Sequence, residues 1–142
     1  MEELQNISLT HNQTRSVTPA EPTPFSQIDS ELQLAIRCAA EKKAERIVAL
    51  DLKSIVSFTD YFAIVSGANP RQVQAIADEI TEQLKKQFGR SPIRIEGYSS
   101  AEWILLDFGD FIFHVFDREA RDFFDLERLW RDAAKVELPE DL

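Results

Sequence analysis

His11, His114 and Cys38 are the only imidazoles and the only thiol in this 142-residue chain. A zinc site gathers four Cys, His or carboxylate ligands at short spacings. These three lie far apart, so no metal site is expected. Cys38 with His114 would make a nucleophile and its base. However, Cys38 sits in a small apolar helical segment with Ala35, Ile36, Ala39 and Ala40, where a free cysteine behaves as a small core residue. Asp107-Phe108-Gly109 spells the metal-binding triplet of protein kinases, yet no Gly-rich loop or His-Arg-Asp loop accompanies it. The triplet reads as a turn. Ser66-Gly67 falls between a strand and a helix that begins near Pro70, a junction that can offer free N–H groups to an anion. Nucleotidyltransferases place a Gly-Ser pair at a comparable junction and follow it with paired aspartates that hold Mg²⁺. This chain has no Asp-x-Asp, and no Lys or Arg between Lys53 and Arg71. A tight strand-to-helix turn is the expectation there, with a nucleotidyltransferase-like enzyme acting at Ser66-Gly67 as the alternative. No catalytic residue and no cofactor is assigned.

A surface signal remains. The formal charge is 16 − 25 = −9, which argues against binding nucleic acid through its phosphates. Residues 1–95 hold 12 acids and 11 bases, whereas residues 96–142 hold 13 acids and 5 bases. The acidity belongs to the last third, and it suits a basic protein as partner. Aromatic residues are interleaved with those acids, from Glu96-Gly97-Tyr98 through Trp103 to Phe111-Ile-Phe-His-Val-Phe116. In a strand, Phe111, Phe113 and Val115 face one way and Ile112, His114 and Phe116 the other. Either helices cover both faces, or one face meets a partner, as large apolar patches do. His114 is accordingly either a satisfied strand histidine or an interface group.

Elements must position these residues. Residues 1–25, with Pro19, Pro22 and Pro24, predict a disordered leader. Residues 26–137 form the expected domain, and 138–142 a flexible tail. Ile28, Leu32, Ala35, Ile36 and Ala39 recur at helical spacing and predict a helix over about 28–44. Strands are expected at 46–52 and 61–66. Asn69-Pro70 starts a second helix, Val73, Ile76, Ala77, Ile80 and Leu84 form its apolar stripe, and Gly89 ends it. Strands at 92–96, 103–107 and 111–117 follow, the last two joined by Phe108-Gly109-Asp110 as a hairpin. A short final helix carries Leu126, Leu129, Trp130 and Ala133. The order predicts an α/β (α+β) fold, a mixed and about five-stranded sheet flanked by helices. A lone cysteine suits a reducing compartment. No apolar run reaches transmembrane length, and the N-terminus does not read as a secretory signal. A cytoplasmic location is therefore expected.

Three blocks of sequence resemble the ribosomal silencing factor (iojap-like) family. The first is Asp60-Tyr-Phe-Ala-Ile-Val-Ser-Gly67 with Arg71-Gln72-Val73 and Ala75-Ile76-Ala77. The second is Glu96-Gly97, Ala101 to Asp110 (AEWILLDFGD) and His114-Val115-Phe116. The third is Arg121, Phe123-Phe124, Leu126-Glu127 and Leu129-Trp130. The resemblance spans about residues 30–135. It implies a nucleotidyltransferase-like fold without the catalytic carboxylates, and a protein that is not an enzyme. It further implies binding to the large ribosomal subunit through its protein number fourteen and a steric block to small-subunit joining. Lower translation under nutrient limitation, a role in large-subunit maturation and a homodimer are also implied. On that reading, Trp103, Tyr98 and Phe116 are candidate apolar contacts, and Glu96, Glu102, Asp107, Asp110 and His114 are candidates for meeting basic groups. Arg121, Leu126 and Trp130 are expected to serve folding.

Overall fold

The structure, a computed structural model, describes residues 20–142. In chain order it contains β1 (Thr23–Pro24), a 3-10 turn (Phe25–Gln27), α1 (Ser30–Glu41), β2 (Glu45–Asp51), β3 (Tyr61–Gly67), α2 (Pro70–Phe88) and β4 (Arg94–Glu96). Then come β5 (Trp103–Asp107), β6 (Phe111–Asp117), α3 (Arg118–Phe124), α4 (Leu126–Leu129) and β7 (Ala134–Glu137). The strands form one mixed sheet in the order β1-β7-β2-β3-β6-β5-β4. At its centre β3 and β6 run parallel, from Tyr61 opposite Phe111 to Gly67 opposite Asp117. Both strands are buried on both faces, which is why they read as unbroken apolar runs.

The two long helices cover one face. Asn69 caps α2, its side-chain oxygen accepting from the Gln72 N–H at 2.9 Å. Gly89, at φ 64°, ends the helix in the left-handed conformation that glycine adopts without strain. The stripe Val73, Ile76, Ala77, Ile80 and Leu84 is buried as expected, and it packs with Leu32, Ile36 and Ala39 of α1 onto Ala63, Val65, Ile104, Leu106, Phe113 and Val115. Each large apolar side chain buried this way contributes about 1.5–3 kcal/mol, so this layer is the main source of stability. The opposite face is thinner. Leu126, Trp130 and Ala133 cover Leu50, Leu52, Phe62, Ile64, Ile112 and Phe116.

The sheet has seven strands rather than about five. The two additions are short and have no period-two pattern: β1 is two residues, and β7 buries only Val136. β7 pairs antiparallel with the end of β2, and β1 pairs parallel with β7. Residues 1–19 of the expected leader lie outside the described residues, whereas Thr23–Pro24 join the sheet edge. The expected flexible tail 138–142 turns back, with Leu138 and Leu142 packed against the main core and Asp141 3.7 Å from Arg37. The first helix runs over 30–41, shorter than expected, because Lys42 ends it and Lys43 takes φ 64°. The single final helix is two. Asp125, at φ 50°, breaks the chain between α3 and α4, and Asp117 caps α3 by accepting from the Ala120 N–H at 2.7 Å.

Candidate functional site

The register of the sheet decides which residues share its thinly covered face. Ser66, Phe116 and Trp103 form one row across β3, β6 and β5. Ile64, His114 and Leu105 form the next, continued by Glu96 of β4. Phe62, Ile112 and Asp107 form the third, continued by Arg94. The segment carrying Leu126 and Trp130 closes the β2 and β3 end of these rows. Towards β5 and β4 the cover ends: Trp103 and Leu105 are half-buried, and Arg94 and Glu96 are exposed. The indole of Trp103 stacks on Phe116 at 4.9 Å between ring centroids and meets Phe124 at 4.7 Å. Phe123 touches Phe124 edge-on at 5.1 Å and is 81% exposed. Glu102, just before Trp103, is also exposed. The result is an open apolar step of Trp103, Leu105, Phe124 and Phe123, bordered by Glu96, with Glu102 exposed next to Trp103 in sequence.

The eight candidates named from sequence do not all reach this face. Glu96 and Trp103 do, and Glu102 is exposed immediately before β5. Phe116 is fully buried and serves as the floor on which Trp103 stacks, so it offers a partner no surface. His114 is buried as well, and its Nδ1 accepts from the Trp103 Nε1–H at 3.0 Å. Burial pushes the imidazole pKa down to about 3, because a charged ring would lose its hydration among aromatic neighbours. It is neutral, buried and already bonded to Trp103, so it offers a partner's basic groups no surface to meet. Asp107 is spent on the hairpin, accepting from the Gly109 N–H at 2.9 Å and lying 3.3 Å from Arg94. Asp110 is held by Arg90 at 2.5 Å. The same guanidinium donates to the Phe108 carbonyl and to Glu31 and lies over the rings of Phe108 and Phe111. Burial alone would raise the Asp110 pKa, but Arg90 and Asp29 more than offset this and hold it below the usual carboxylate range. Tyr98 is exposed but is tied to α2, its hydroxyl bonding Asp78 at 3.0 Å and its carbonyl accepting from Gln74 at 2.9 Å.

Leu105, Phe123 and Phe124 were missed. Leu105 has the same pleat parity as Trp103 and could have been found from it. Phe123 and Phe124 lie on a helix of seven residues in which Arg121 is the buried residue, and nothing in their spacing announces that.

The Ser66-Gly67 junction is built for packing. The Ser66 hydroxyl is buried, donates to the Glu45 carbonyl at 3.3 Å and lies 3.4 Å from the Arg121 guanidinium. A Cβ on Gly67 would stand 3.1 Å from the Val73 side chain and 3.2 Å from its backbone nitrogen. Arg121 is itself 1% exposed, pairs two-pronged with Glu127 at 3.0 and 3.1 Å, and joins α3 to β2 and β3. Cys38 is a buried core thiol, and burial raises its pKa to about 11. Among the described residues, no three His, Cys, Asp or Glu side chains are placed to hold a metal, and no helix is long and apolar enough to cross a membrane.

Comparison with known proteins adds an independent line. The family model "Ribosomal silencing factor during starvation" matches residues 26–142. A ribosomal silencing factor of Halalkalibacterium halodurans is 46% identical over 107 residues, covering 75% of this chain and 91% of that protein. One from Bacillus subtilis is 41% identical over 109 residues, covering 77% and 92%. A crystal structure of a Chromobacterium violaceum protein superposes with a TM-score of 0.70 at 32% identity, covering 80% of this chain and 91% of that one. The matched span takes in the whole sheet from β2 to β7, both long helices and the open aromatic face. On these grounds the chain belongs to the ribosomal silencing factor family.

Proposed function

We propose that this protein is a translational repressor that docks on the large ribosomal subunit, chiefly on its protein number fourteen, and blocks joining of the small subunit. The observation that carries this reading is the open step of Trp103, Leu105, Phe124 and Phe123 beside Glu96 and Glu102. Aromatic anchors contribute most where they are driven into a partner and desolvated. Acidic groups around them favour a basic protein and reject exposed rRNA phosphates. Occlusion requires no bond-making, only a bound domain where a second large body must approach. It would lower translation when nutrients are scarce, and the same contact would suit a role in large-subunit maturation. The competing nucleotidyltransferase reading has little to work with, since the Ser66 hydroxyl is buried under Arg121. Self-association is the second reading, favoured by the outer edge of β4, which no described strand covers and where Ile93 and Ile95 are exposed.

The direct experiment is sedimentation of purified large subunits with the protein and with Glu96→Lys/Glu102→Lys. The double charge reversal should weaken co-migration about tenfold and restore subunit joining while the circular dichroism spectrum stays unchanged. Undiminished co-migration would remove this face from the docking site.

A further inference from the structure

Trp103 is the one aromatic of the open face with a polar atom, and that atom is tied down from below. Its Nε1–H donates to Nδ1 of His114 at 3.0 Å. His114 belongs to β6, in register between Ile64 and Leu105, and is buried against Phe62 at 4.6 Å between centroids. A neutral imidazole has one acceptor nitrogen and one N–H. Acceptance at Nδ1 therefore places the proton on Nε2, and Nε2 has no hydrogen-bond partner. A buried polar group left in that state costs stability, and a phenylalanine would complete this aromatic layer without that cost. Folding does not account for an imidazole here. The bond to Trp103 does.

We infer that His114 is a positioning residue, whose Nδ1 holds the Trp103 indole in the orientation that the docking partner receives. This rests on the docking role proposed above. A surface indole free to rotate must be ordered when it binds, at a cost in affinity, and a side chain already ordered avoids it. Phe116 beneath the ring and Phe124 beside it restrict the plane of the indole, and the hydrogen bond selects between its two flipped orientations. His114 thus contributes to affinity without touching the partner.

The test uses the full chain, purified large subunits and the variants His114→Phe, His114→Asn and Trp103→Phe. Phenylalanine removes the acceptor and should weaken binding about three- to tenfold, with an unfolding midpoint equal to or above that of the unaltered protein. The side-chain oxygen of asparagine reaches the Nδ1 position and should restore affinity to within about twofold, despite lower stability. In a Trp103→Phe background, His114→Phe should change affinity by less than about twofold, since the bond is already gone. A structural role alone gives the opposite ranking, with affinity following stability, and that outcome overturns the inference. So does unchanged binding by His114→Phe when Trp103→Ala binds weakly. Unchanged binding by Trp103→Ala instead overturns the docking role, and the inference falls with it. A partner-free arm uses Trp130→Phe, which leaves Trp103 as the sole tryptophan. There His114→Phe should raise acrylamide quenching and lower the anisotropy of Trp103, and no change in either is a refutation. If His114→Phe does not fold, His114→Gln takes its place, because its amide reaches the Nε2 position and leaves the indole without an acceptor.

Discussion

His114 and Arg121 are both buried and polar, and the chain treats them differently. Arg121 is fully partnered: Glu127 meets its guanidinium two-pronged, and the Glu45 carbonyl and Ser66 hydroxyl take further donors. His114 has aromatic rings, one indole N–H and the aliphatic Ile64 and Leu105 around it, and burial there pushes its pKa down to about 3. That difference has a pH consequence. Below about 6.5 the unfolded chain binds a proton at this site and the folded chain does not, so unfolding takes up protons and stability falls as pH falls. The loss is up to about 1.4 kcal/mol per pH unit in the window between 6.5 and the folded value. Urea unfolding at pH 7.5 and pH 5 should therefore show the stability of His114→Phe gaining on the unaltered protein by about 1–2 kcal/mol at the lower pH. An unchanged gap between the two proteins would mean that His114 takes up its proton in the folded state as well.

At the scale of elements, the edge of the proposed docking face depends on how β4 returns to β5. Gly97 turns the chain there at φ 79°, and a Cβ on it would lie 2.0 Å from the Trp103 carbonyl oxygen. Gly89 has a similar φ of 64° at the end of α2, but nothing stands within 4 Å of its would-be Cβ. Both substitutions to alanine incur the left-handed backbone cost of about 1 kcal/mol. Only Gly97→Ala must also push β4 away from β5, and it should lose about 2 kcal/mol or more and weaken large-subunit binding. Equal losses for the two variants would show that the close approach is not a constraint. α3 offers the converse case. Phe123 is so exposed that Phe123→Ser should leave stability within about 0.5 kcal/mol yet reduce docking, which sedimentation and thermal melting separate cleanly.

Over the whole molecule, the acidity of residues 96–142 is partly consumed by arginines from the other part of the chain. Arg37 faces Asp141, Arg46 faces Asp122, Arg90 holds Asp110 and Arg94 approaches Asp107. What remains for a partner is smaller than the count suggests: it includes Glu102, whereas Glu96 shares the Arg94 guanidinium with Asp107, each 3.3 Å from it. Exposed charges are screened over roughly 10 Å at 0.1 M salt, so docking should weaken as salt rises from 50 to 300 mM, mainly through slower association. Stopped-flow binding should show that slope flattened in Glu96→Lys/Glu102→Lys. A slope identical to that of the unaltered protein would place the electrostatic contact elsewhere on the surface.

Local signals determined much of this protein. The Asn69-Pro70 cap, the Val73-to-Leu84 stripe and Gly89 are short-range features, and α2 follows from them almost residue for residue. The apolar runs of β3 and β6 announced strands covered on both faces, and the family could be recognised from blocks of sequence alone. The strands β1 and β7 were not legible, because pairing with a distant edge, rather than any pattern of their own, makes them strands. The proposed docking face was only half legible for the same reason. Sequence supplies residue types and pleat parity, but burial depends on what lies above each residue. Tertiary structure alone decided that Phe116 is a floor, Asp110 a clamp and His114 a support under Trp103, and that Phe123 and Phe124 stand beside it. Charge and aromaticity are properties of the chain; exposure is a property of the packing.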